Sequence, residues 1–323
     1  MVNINYNYNL RKDQKMNKSV FATLLLLTAS SAIAQNTDTT IVLNKEQIKE
    51  YQEFLKYKEE ASHDLVPDFG EEWMITDRPH VAETPHLVPK GYFQWETGFQ
   101  FQQSKTSDTR IKDVTYNTTL VRLGISRRFE GRVELEYLGT QSKRRTVDSL
   151  LQNVKGLSGI NLASKIFICQ QKGIIPEASL LYGIFLPYPG SPNFRPSYTG
   201  SEIKFLLVNR LFRWYEFEYN LGVQWDGITK NAAYAYAFNN EFEISQKLFF
   251  FLELYGFLYE NSTSDDRFAG NFTPDNRANG GVWYRLTADW QVDLSGGFGL
   301  SKTSPDYYFA VGLSNRFRFR KKG

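Results

Sequence analysis

Residues 214–226 read WYEFEYNLGVQWD, and they alternate. Phe217, Tyr219, Leu221, Val223 and Trp225 fall on one side of an extended chain. Glu216, Glu218, Asn220, Gly222, Gln224 and Asp226 fall on the other. Side chains of a strand point to opposite faces with period two, so this stretch is a strand with one apolar and one polar face. It is longer than the ~5–6 residues usual in soluble strands. A tilted strand crossing a bilayer needs ~9–11 residues in the hydrocarbon plus its ends.

The pattern repeats on both sides. Residues 92–103 (YFQWETGFQFQQ) set Phe93, Trp95, Thr97, Phe99 and Phe101 against Gln94, Glu96, Gly98, Gln100 and Gln102. Residues 307–319 (YYFAVGLSNRFRF) do the same with Tyr307, Phe309, Val311, Leu313, Phe317 and Phe319. Further segments lie near 114–126, 131–140, 156–168, 176–187, 200–210, 232–244, 247–259, 277–287 and 290–301. The segment 247–259 is apolar on both faces, with Glu253 read as inward. That makes about twelve strands, an even number. Long polar connections are expected at 104–113, 141–155, 188–199 and 260–276, and short ones near 127–130, 169–175, 211–213, 245–246 and 288–289. Only 227–231 and 302–306 break the alternation of loop length. Short turns at one end and longer loops at the other mark a membrane barrel. Lipid offers the backbone no hydrogen-bond partners, so the sheet must close on itself. A soluble β-sandwich also alternates, but it does not call for strands this long. The expected fold is all-β: a single closed antiparallel transmembrane β-barrel of about 12 strands at 91–319, with a short helical or irregular N-terminal extension.

Composition agrees. Of 323 residues, 15% are aromatic while only 41% are apolar, which suits strands that interleave aromatic and polar positions. Tyr92, Trp95, Tyr137, Tyr182, Trp214, Tyr215, Trp225, Tyr234, Tyr284, Trp290, Tyr307 and Tyr308 are candidates for girdles at the membrane surfaces. The lone Cys169 rules out disulfide frameworks and cysteine-based metal sites. A formal charge of +3 gives no support to nucleic-acid binding.

From Met16 the chain reads MNKSVFATLLLLTASSAIAQ, with Lys18, an apolar run and the small-x-small pattern Ala32-Ile33-Ala34. Residues 1–34 are read as a signal peptide, with Met16 as the alternative start. Its removal takes away four of 38 basic and one of 35 acidic residues, leaving 34 of each and no net charge. Residues 35–90 are read as a periplasmic extension. In it, 44–60 form a helix with Ile48, Tyr51, Phe54 and Leu55 on one stripe, and a segment with Pro67, Pro79, Pro85 and Pro89 follows. Residues 320–323 are a basic tail. The segment Thr76–Gly91 combines Asp77, Arg78 and Glu83 with several prolines. It is read either as a tether or as a strap that enters the barrel mouth or lumen and pairs with charges there.

Residues 75–99, ITDRPHVAETPHLVPKGYFQWETGF, carry a run of recognisable positions. They are Thr76-Asp77-Arg78-Pro79, then Glu83, Pro85, Val88-Pro89-Lys90-Gly91, and Glu96-Thr97-Gly98 in the first strand. Asp293-Leu294-Ser295 with Gly297-Phe298-Gly299 adds a second cluster. Together these resemble the outer-membrane β-barrel family named for the meta-pathway of phenol degradation. The resemblance spans 75–319 and implies an outer-membrane transporter of a Gram-negative, Bacteroidetes-type bacterium. It does not carry phenol handling with it.

Period two places Glu96, Arg122, Arg132, Glu134, Glu136, Lys165, Lys204, Glu218, Asp226, Glu241, Glu243, Arg285, Asp293, Arg316 and Arg318 on the inward face. Charges in a lumen need partners or water. They therefore either line a narrow wet pathway or neutralise one another in a closed lumen, and twelve strands lie between filled and open barrel widths. The three histidines, His63, His80 and His86, all precede the strands. His80 and His86 with Asp77 or Glu83 are the one conceivable metal set, outweighed by an ordinary polar segment, so no metal and no cofactor is expected. No Ser-His-Asp arrangement or phosphate loop is legible, and an enzyme, such as a lipid-modifying one, is the least favoured reading. The expected function is passage of a small-molecule solute of unknown identity. The alternative is a closed structural or interaction barrel. The expected partners are outer-membrane lipid and the outer-membrane assembly machinery.

Overall fold

The computed structural model describes residues 73–144, 149–260 and 272–319. The expected signal peptide and 44–60 helix, most of the 260–276 connection and the basic tail lie outside these residues. The described chain forms β1 (Tyr92–Lys105), β2 (Thr109–Ser126), β3 (Phe129–Arg144), β4 (Leu150–Leu157), β5 (Ile160–Cys169), β6 (Glu177–Leu186) and β7 (Gly200–Phe212). There follow β8 (Tyr215–Trp225), β9 (Ala233–Glu243), β10 (Leu248–Glu260), β11 (Phe272–Thr287), β12 (Trp290–Gly299) and β13 (Tyr307–Arg318).

Neighbours in sequence pair antiparallel, and β1 pairs with β13 from Tyr92↔Arg318 to Gln103↔Tyr307, so the sheet closes. Twelve strands make the circuit, and β4 is the extra one. β4 pairs with Tyr137–Lys143 of β3 and β5 with Phe129–Glu134, so the two lie end to end along one strand. The break falls at Ser158–Gly159. There the 187–199 loop takes over: Ser191 N donates to Leu157 O at 2.9 Å, and Leu157 N to Ser191 Oγ at 3.0 Å.

Two expected loops are corrected. Most of 104–113 and 141–155 is strand, because β2 begins at Thr109, β3 runs to Arg144 and β4 starts at Leu150. These strands extend past their apolar stretch, where neither face is greasy and the period-two signal fades. The long 188–199 and short 127–130 connections stand as expected.

The faces are inverted relative to a soluble protein. On β13, Tyr307, Phe309 and Val311 are 42–45% exposed while Tyr308 and Ala310 are 6–7% exposed. On β5, Leu162, Ile166 and Ile168 face out while Lys165 is fully buried. An apolar outside around a polar inside is stable only against lipid. Tyr137, Tyr182, Trp225, Tyr234, Tyr284 and Trp290 are also exposed. Tyr92 and Tyr308, also candidates for the girdle, turn inward instead and are buried, whereas Tyr215, on the outward side of β8, is buried by stacking on Phe242. β10 resolves its ambiguity with Phe249, Phe251, Glu253 and Tyr255 inside and Leu254 outside.

Candidate functional site

Residues 73–90 lie inside the barrel. This corrects the reading of that part of the extension as periplasmic and selects the lumen strap over the tether. The strap returns to the wall at Gly91, whose φ of +84° suits a residue without a side chain. Gly91 N donates to Gly124 O at 3.1 Å, and Tyr92 N to Pro89 O at 3.0 Å. At the other end, Met74 N donates to Ala288 O at 2.8 Å. The strap thus enters and leaves at the short-turn end, with its apex near Val81–Glu83.

Its acidic residues complete the lumen charges. Asp77 accepts from Arg132 at 2.6 Å and Lys165 at 3.0 Å, and lies 3.3 Å from Arg122. Arg122 also holds Glu96 at 3.0 Å and Glu130 at 2.7 Å. Glu83 takes Arg132 at 2.9 Å and Lys204 at 3.3 Å, and Lys204 holds Glu202 at 2.7 Å. Burial works against a charged Asp77, but Arg122, Lys165 and Arg132 outweigh it and hold the carboxyl well below its ordinary 3.8. Glu83 is lowered likewise, Arg132 and Lys204 overcoming burial. Lys165 also donates to Thr84 O at 2.8 Å, and Ser179 to Pro85 O at 2.6 Å. Thr76 receives Gln291 Nε2 at 2.7 Å. Burial of Val88 N is relieved by Glu130 at 2.6 Å.

Arg78 sits in a slot made by two paired glycines. A side-chain carbon on Gly98 would come within 2.6 Å of its guanidinium, and Gly312, the register partner of Gly98, is equally close-packed against it. The guanidinium forks onto Asp293 at 3.2 and 3.0 Å. Thus Arg78, Gly98 and Asp293, which the sequence singles out separately, form one unit. Pro79 follows Arg78 in a cis peptide.

The remaining inward candidates divide. Glu134 and Asp226 line a cavity of about 310 Å³ toward the long-loop end, together with Glu83, Arg132, Glu202 and Lys204. Asp226 also accepts the backbone N–H groups of Ile228 and Thr229. Glu218, Glu241, Glu243 and Arg285 line a second cavity of about 310 Å³ toward the short-turn end. Glu136 is half-buried near Ser158. Arg316 holds Asp289 at 2.7 Å, and the exposed Arg318 lies over Tyr92 at the rim. Glu130 escaped sequence reading because it fell in the connection 127–130, although the alternation run back from Arg132 and Glu134 reaches it.

The histidines separate. His86 lies 3.4 Å from Glu177, whereas His80 lies 3.5 Å from Glu218 and 3.7 Å from Glu241. Neither shares a cluster with Asp77 or Glu83, but both now occupy the barrel, which the sequence reading left without a histidine. Burial disfavours a charged His80, but Glu218, Glu241 and Glu253 outweigh it and push it up to about 10.

A closed antiparallel barrel, apolar outside, charged inside and threaded by its own N-terminal strap, is a membrane-spanning barrel. Residues 76–317 match the family described as "Putative MetA-pathway of phenol degradation", and the chain belongs to that family. No curated protein sequence matches the chain. Among solved structures it is similar to an outer membrane channel from Pseudomonas putida F1, at 11% identity and a TM-score of 0.58, over 71% of this chain and 97% of that one. It also matches the translocator domain of the autotransporter NalP from Neisseria meningitidis at 12% identity and a TM-score of 0.43, over 71% and 90%. The NanC porin matches at 8% identity and 0.42, over 69% and 98%.

Proposed function

We propose that this protein is an outer-membrane channel for small solutes in a Gram-negative bacterium, gated by its residues 73–90 and performing no chemistry. The observation that carries this reading is the pair of charged cavities approaching the strap from opposite ends of one lumen. Such a lumen, wet at both ends and narrowed by one segment, is what a selective pore needs. Both signs of charge line it, so the solute class is small and polar rather than strictly anionic or cationic. Likeness in fold to a bacterial outer membrane channel adds support. The signal peptide would deliver the chain, and lipid and the assembly machinery would be its partners.

A second reading is favoured by the Asp77–Arg122–Arg132–Lys165 network, which ties the strap to the wall. In that reading the lumen is shut, and the barrel serves a structural or docking role. Proteoliposome influx separates the two. Small neutral and zwitterionic solutes are expected to enter faster than into protein-free vesicles. Influx equal to that of empty vesicles would overturn the channel reading.

A further inference from the structure

His80, on the strap, meets Glu218 of β8 and Glu241 of β9 with one ligand atom from each within 4.8 Å of the others. Its Nδ1–H is committed to Ala82 O, which leaves Nε2 facing the two carboxylates. The Nε2–oxygen separations are 3.5 and 3.7 Å. Bonds of ~2.0–2.2 Å to a tetrahedral metal give ligand–ligand edges of about 3.4 Å, so the two edges from Nε2 are near that spacing, and the edge between the carboxylates lies within 4.8 Å. The two carboxylate oxygens that face Nε2 also accept hydrogen bonds from neighbouring side chains. Asn239 Nδ2 donates to Glu218 at 3.0 Å and Trp283 Nε1 to Glu241 at 3.0 Å, while the Ala82 carbonyl orients the imidazole. Outer hydrogen bonds of this kind orient metal ligands. The residues line the short-turn cavity, which leaves a fourth position for water.

We infer that His80 Nε2, Glu218 and Glu241 bind one divalent transition-metal ion of the Zn²⁺ class, latching the strap to β8 and β9. Three donors with one open position, mixing imidazole and carboxylate, suit such an ion better than Ca²⁺ or Mg²⁺, which take more oxygens. Binding displaces the proton from Nε2 to solvent; no electron transfer is involved. The latch presupposes the gated channel, whereas metal binding does not.

The test is calorimetric titration of Zn²⁺ into the purified, tag-free full chain in detergent. Wild type is expected to bind one ion per chain through this site. His80→Gln and Glu218→Gln, which retain size, are each expected to weaken it at least tenfold, with His86→Ala unchanged. Trp283→Phe is expected to weaken it about tenfold through loss of the hydrogen bond to Glu241. Co²⁺ in place of Zn²⁺ is expected to give the visible bands of a tetrahedral site, absent in His80→Gln. Circular dichroism and heat-dependent gel mobility verify that each variant folds. No binding, or equal affinity in His80→Gln and Glu218→Gln, would overturn the site. A barrel that binds Zn²⁺ but passes no solute would leave the site standing and remove the channel; a solute-passing barrel indifferent to Zn²⁺ would do the reverse.

Discussion

Asp77 is a central anchor of the strap, because three buried cations converge on it. Asp77→Asn leaves Arg132 and Lys165 facing an amide. Breaking a buried pair from one side costs ~3–5 kcal/mol, toward the lower end in a lumen that water can enter. The expected result is a strap open to protease in a barrel that still folds. The pH response follows from the same geometry. The carboxyl is depressed, so its contribution is full above the ordinary 3.8 and is lost only as pH falls through the lower native value. Pepsin is therefore expected to spare the strap at about pH 4 and to cut it only once the pH falls low enough to protonate the carboxyl. Cleavage already at about pH 4 would show that Asp77 does not hold it. Gly312→Ala acts on the neighbouring anchor. It displaces Arg78 from its slot at a cost of roughly 1–3 kcal/mol, read as a lowered unfolding midpoint. These residue-scale roles were half legible. The sequence marks Asp77, Arg78, Glu83 and Gly98 as unusual, but no local pattern tells that Arg78 meets Asp293 across 215 positions.

Each strand obeys one rule, apolar out and polar in, and this was readable wherever both faces differ in polarity. In 214–226 the contrast is complete, and β8 begins and ends within a residue of the expected bounds. In 109–113, Thr-Arg-Ile-Lys-Asp is wet on both sides, and the strand was missed there. The β4–β5 break was missed for another reason: it depends on Ser191 of a later loop, 34 residues away, which captures Leu157. The face assignment itself is testable on β13. Val311→Arg puts a charge against lipid and is expected to destabilise the barrel by about 2–4 kcal/mol if it lies at the bilayer midplane, in denaturant unfolding from vesicles. A change near zero would place Val311 outside the hydrocarbon.

At the scale of the whole molecule, the barrel solves two problems together. Closure leaves no unpaired edge in lipid. The inward charges of the wall are then balanced partly by Asp77 and Glu83 of the strap. The strap therefore is a structural counter-charge that lines both cavities. Fold class was legible because a repeated period-two signal over more than two hundred residues leaves few alternatives. The strap's place was not, because its prolines suppress any period and its partners lie on strands spread around the barrel. Single-channel recording in planar bilayers tests the account most directly. Wild type is expected to show a small, stable conductance, and a variant lacking residues 73–88 a conductance several times larger. Equal conductance in the two, or silence in both, would contradict it.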